Sequence, residues 1–144
     1  AYCPWDSSQN VELPGDGRSF QILFYYPNGQ RAFQLDTYMN ARHGRLKRYA
    51  RDGQILEDGG FRFGDWHGSR KQYAADGTLL NYEEFAFGKM SGEQRLYDAK
   101  GRLQYQSHYM DNTLNGPMHV FDEQGRKVRT YWFELNVAYK VKQY

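Results

Sequence analysis

Cysteine, proline, aliphatic residues and long apolar runs are all scarce in this chain. Its 144 residues include one Cys and four Pro. A single cysteine, Cys3, excludes an internal disulfide and any cysteine-rich zinc site. No stretch approaches the roughly 20 apolar residues of a membrane-spanning helix. Apolar residues make up 40% and the mean hydropathy is −0.92, too polar for a large multilayered core. Nineteen Lys and Arg against 17 Asp and Glu leave only +2, well short of a typical nucleic-acid binder. The balance is local: beyond residue 19 the chain carries 18 bases against 14 acids. Aromatics are plentiful at 17%, with 13 Tyr, and there are 15 Gly. Disordered chains are poor in aromatics, so this composition points to short strands and tight turns.

The sequence repeats. Gly29, Gly53, Gly77, Gly101 and Gly125 are 24 residues apart, and Gly44, Gly68, Gly92 and Gly116 form a second series of the same period. Tyr25, Tyr49, Tyr73, Tyr97 and Phe121 precede the first series by four residues, and Asn40, Gly64, Gly88, Asn112 and Asn136 make a fourth column. Asn28-Gly29, Asp52-Gly53 and Asp76-Gly77 are dipeptides of two-residue hairpin turns, in which both residues take positive φ. The Asn/Gly column is expected to open a longer turn closing at the second glycine, as in Gly64 to Gly68. Period-two alternation lies between the turns, with Phe61, Phe85, Tyr109 and Phe133 on one strand face. The expected fold is all-β: an elongated, single-layer antiparallel meander of about five 24-residue hairpin repeats and about ten strands. Residues 1–19 fit no repeat and are expected to cap the first edge, with Leu13 to Gly17 as a loop. Residues 20–144 form the sheet domain, from a first strand at Phe20–Tyr26 to a last at Val137–Tyr144, where Lys140 and Lys142 guard the edge.

Units such as Tyr73-Ala-Ala-Asp-Gly77 followed by Phe87-Gly88-Lys89-Met90-Ser91-Gly92-Glu93 resemble the MORN repeat in its bacterial variant form, over about residues 25–139. The resemblance implies a single sheet of stacked hairpins. It also implies an antitoxin or immunity protein that binds and neutralises a cognate toxin, or, as in eukaryotic relatives, a lipid-associated scaffold. It brings no catalytic residue. Two departures mark the C-terminal end: Lys140 stands where a second-series glycine is due, and Pro117 follows Gly116. The start at Ala1 points to a removed leader and a periplasmic or envelope location, with the cytoplasm as the alternative. Cys3 invites comparison with a lipoprotein anchor, although Tyr2 fits poorly before an acylated cysteine.

Catalytic patterns are not found. His43 and His67 share a repeat position, but equivalent positions lie about 10 Å apart, too far for one zinc ion. Asp36 and Glu84 lie on the longer strands with Gly60 between them, and no acid pair is brought together by local spacing. The glycines are spread by the repeat and form no phosphate loop. The expectation is therefore a non-enzymatic binding protein without cofactor or metal.

Two surfaces remain for a partner. Lys47, Lys71, Arg95 and His119 form a basic column beside Tyr49, Tyr73, Tyr97 and Phe121. It suits an acidic protein or anionic lipid heads; alternatively, the tyrosines are a packing layer under snorkelling basic stems. The turn edge carries Arg42-His43, Trp66-His67, Met90 and Leu114. These are either exposed anchors or side chains folded back onto the sheet. A toxin or effector protein is the expected partner, and an anionic membrane surface the alternative.

Overall fold

The computed structural model describes residues 7–13 and 15–144. Expectations that rest on Cys3, or on Pro14 in the loop, lie outside them. Among the described residues there are fourteen strands and no helix. They are β1 (Ser7–Glu12), β2 (Ser19–Tyr25), β3 (Arg31–Tyr38), β4 (Ala41–Tyr49), β5 (Ile55–Arg62), β6 (Asp65–Trp66) and β7 (Gly68–Tyr73). Then follow β8 (Leu79–Ala86), β9 (Lys89–Tyr97), β10 (Leu103–Met110), β11 (Thr113–Leu114), β12 (Gly116–Phe121), β13 (Lys127–Glu134) and β14 (Val137–Gln143). All belong to one antiparallel sheet in sequence order, with the short β6 and β11 pairing only with β5 and β10. The all-β meander of the sequence reading is the observed fold. The extra strands arise because β1 adds itself to β2, and because breaks at His67 and Asn115 each divide a strand.

The turns correct the sequence reading. At the end of the first glycine series only the glycine is left-handed, with φ of +80, +88, +87, +77 and +76° from Gly29 to Gly125. Asn28, Asp52 and Asp76 do not have positive φ. Each glycine N–H donates to the carbonyl three residues back, as from Gly29 to Tyr26 at 2.9 Å, and the strand register shifts beside it. This is the three-residue hairpin in which a glycine bulge follows a type I turn. The Asn and Asp side chains serve the turn as acceptors instead. Asn28, Asp52 and Asp76 each accept the N–H two residues on, at 2.9–3.0 Å. Where Lys100 and Gln124 replace them, Asp98 and Asp122 accept two backbone N–H groups each, so the turn keeps its acceptor.

The two-residue turns are at the opposite end. Met39-Asn40, Phe63-Gly64, Phe87-Gly88, Asp111-Asn112 and Leu135-Asn136 have positive φ at both residues, the type I′ pattern. The strand resumes at once, so the expected five-residue turn from Gly64 to Gly68 does not exist. Trp66, Met90 and Leu114 lie within strands and are half-buried, not exposed in turns.

A single sheet buries little. Leu23, Ala32, Leu46 and Phe61 are the buried apolar residues among those described. Trp66 acts as a local cover: its ring stacks on Phe61 at 4.2 Å and lies 6.0 Å from Phe85. Gly59, which no repeat column explains, sits beneath it; a Cβ there would come within 2.6 Å of the indole. Next to the indole runs a chain of charges. The Arg48 guanidinium donates to Glu57 at 3.3 Å, Arg70 lies 2.7 Å from Glu57 and 3.4 Å from Glu83, and its guanidinium is 4.7 Å above the Trp66 ring. Both glutamates are buried and share Arg70, which offsets the desolvation of each carboxylate.

Candidate binding surfaces

The type I′ turns stack along one edge of the sheet and bring a column into view that the sequence reading missed. Its members are Met39, Phe63, Phe87, Asp111 and Leu135, spaced by 24 and each directly before the Asn/Gly column. Met39, Phe63, Phe87 and Leu135 are 59–66% exposed, among the most exposed large apolar side chains described. Their φ values are +47 to +49°. A bulky residue in this region carries roughly 1–2 kcal/mol of backbone strain that Asn or Gly avoids. The period and position were legible in the sequence, but the longer turn expected there hid them.

The two histidines of the turn edge hold this row in place. The Phe63 N–H donates to His43 Nδ1 at 3.2 Å, and the Phe87 N–H to His67 Nδ1 at 3.4 Å. The same rings pack on the phenyl groups, with centroids 4.5 Å apart for His43–Phe63 and 5.2 Å for His67–Phe87. Each imidazole therefore props the turn of the next repeat. Arg42 is exposed with its guanidinium 4.6 Å over Phe61, and Arg62 lies 5.6 Å over Phe87. Arg42 and His43 thus adjoin the exposed row, whereas Trp66, Met90 and Leu114 sit behind it on the sheet.

The basic column on the other face is less uniform than its spacing suggests. Lys47 and Lys71 flank Asp58 in register, and both are half-buried. Arg95 is engaged by a close hydrogen bond to Glu93 and lies 5.2 Å over the Tyr82 ring. That bond to Arg95 holds the Glu93 carboxyl below its ordinary range. His119 leaves the basic series altogether. Its Nδ1 hydrogen-bonds Thr130 Oγ1 at 2.8 Å, and burial, followed by Lys127 and His108, depresses its pKa. Tyr49, Tyr73 and Tyr97 are half-buried, and burial lifts the Tyr73 phenol above its ordinary value.

Among the described residues no group of three or more His, Cys, Asp or Glu could hold a metal. No curated protein matches the chain. Residues 90–111 match the family model described as MORN repeat variant. That span of 22 residues is just short of one 24-residue period of the sheet, and MORN repeats are non-catalytic units often found in protein- and membrane-binding modules.

Proposed function

We propose that the chain is a non-enzymatic binding module of the antitoxin or immunity type, which neutralises a bacterial toxin or secreted effector by covering it. The observation that supports a protein partner is the row of Met39, Phe63, Phe87 and Leu135, exposed and left-handed at successive turn tips. Strain that persists at exposed, repeated positions points to a use outside the fold. Tips of successive repeats lie about 10 Å apart, so Met39 to Phe87 spans about 20 Å. Aromatic, Met and Arg side chains are enriched at protein interfaces, and Arg42 and Arg62 stand beside this row.

Affinity purification after co-expression with an effector encoded beside the gene tests this reading. A stable complex is expected, and Phe63→Asn/Phe87→Asn should weaken it by about 100-fold. If neighbouring effectors show no binding at micromolar concentrations, the reading falls. A second reading, docking on an anionic membrane surface, is favoured by Lys47 and Lys71 beside the tyrosines. Flotation with anionic vesicles at low salt tests it, and no binding there removes it.

A further inference from the structure

The repeats differ at one position in a way that exposes a site. Residues 36, 60, 84 and 108 are equivalent and hold Asp36, Gly60, Glu84 and His108. In two repeats the carboxylate folds across the sheet to meet the N–H of the residue after the second-series glycine. The Arg45 N–H donates to Asp36 Oδ2 at 3.0 Å, and the Glu93 N–H donates to Glu84 Oε2 at 2.8 Å. A side-chain donor holds the other oxygen: Gln21 on Asp36 Oδ1 at 2.9 Å, and the Tyr82 hydroxyl on Glu84 Oε1 at 2.8 Å. The carboxylates occupy the space beside Gly44 and Gly92, where an added Cβ would lie 2.9 Å from Asp36 Cβ and 2.2 Å from Glu84 Oε2.

In the last of these repeats donor and acceptor disappear together. His108 replaces the acid, and Pro117 has no N–H to offer. The middle repeat is different: Gly60 removes the acid, but Ser69 keeps the N–H. A Cβ placed at Gly68 would meet nothing within 4 Å. Its neighbours His67 and Ser69 line a cavity of about 250 Å³ together with Arg45, Asp58, Gly59, Gly60 and Lys71. Arg45 is paired with Gly60 in register as Gln21 is with Asp36, so a guanidinium takes the place of the second donor. Its ion pair to Asp58 is loose at 3.9 Å, and its side chain is 66% exposed.

We infer that this cavity binds a carboxylate supplied from outside the chain, entering beside Gly68 as the Asp36 and Glu84 carboxylates lie beside Gly44 and Gly92 in their own repeats. The Ser69 N–H and the Arg45 guanidinium donate to it, and Lys71 adds charge. The site itself follows from the repeat; that the carboxylate is an Asp or Glu side chain of a protein partner rests on the binding-module reading.

Titration with sodium acetate, followed through backbone amide NMR shifts, tests the site. The Ser69 amide is expected to move downfield and saturate with acetate but not with chloride at equal ionic strength. The Glu93 amide, already held by Glu84, should stay in place. Ser69→Pro, which copies Pro117, should lower acetate affinity about tenfold, and Lys71→Gln should lower it several-fold without touching the backbone. Tighter binding of a blocked Ala-Glu-Ala peptide than of acetate, with no binding of Ala-Gln-Ala, identifies a protein side chain as the source. Acetate bound more tightly than the peptide supports the site and assigns it to a small carboxylate. If neither moves Ser69 beyond the Glu93 amide, the inference is overturned, while effector binding through the turn tips stands or falls separately.

Discussion

The two edges of the sheet solve the same turning problem with different residues. At one edge the left-handed position is filled by Gly29, Gly53, Gly77, Gly101 and Gly125, and carboxylate or amide side chains accept the N–H groups that follow. At the other, each turn has two left-handed positions. The second takes Asn or Gly, while the first takes Met39, Phe63, Phe87, Asp111 and Leu135. The first edge relaxes its strain with glycine. The second keeps strained and exposed apolar residues, and on the proposed reading it is the edge that meets a partner.

The largest effect that would sharpen this contrast is at the relaxed edge. Gly77→Val places a β-branched residue at φ +87°, and denaturant unfolding should show a loss of about 2 kcal/mol or more. At the strained edge Phe87→Gly should leave stability unchanged or raise it by up to about 1 kcal/mol, since relieved strain opposes the lost packing on His67. Equal losses at both positions would break the comparison.

Acid should also separate the edges. The Asp98 and Asp122 carboxyls are held below their ordinary values chiefly by the Arg102 and Arg126 N–H groups, and Asp76 by Thr78. A lowered folded pKa gives stability that is complete above the ordinary Asp value of about 3.9 and is lost as pH falls through the folded values. Protection of the Thr78, Arg102 and Arg126 amides, relative to their intrinsic exchange rates, should therefore fall below about pH 4, before that of Gly64 and Gly88 at the other edge. A smaller effect is expected between the edges. The depressed pKa of His119 gives stability that is complete above about pH 6.5 and declines below it, as the unfolded chain takes up the proton first. Melting temperatures of His119→Gln should be flatter than those of the parent from pH 7 to 5.

The architecture was legible because the 24-residue period is written in glycine, and glycine marks backbone that other residues enter at a cost. Which turn formed at which end was not. Asn28-Gly29 satisfies a two-residue and a three-residue hairpin equally, and only the observed bond from Gly29 to Tyr26 separates them. Phe63 and Phe87 were missed for a related reason, because intrinsic preference places no phenylalanine at positive φ. Trp66 was misplaced for the same cause. Once the turn ends at Gly64 the indole falls on the strand, and Gly59 beneath it gains an explanation. The chemistry at Gly60 appears only when one repeat is compared in space with its neighbours.

Whether the apolar turn tips serve a partner or the fold is decided by equilibrium unfolding of Phe63→Asn/Phe87→Asn, because Asn tolerates the left-handed region that phenylalanine strains to occupy. If the tips serve a partner, stability will equal that of the parent or exceed it by up to about 2 kcal/mol. A loss of more than about 1 kcal/mol, the usual size of a destabilising substitution, would show instead that these phenylalanines hold the sheet together.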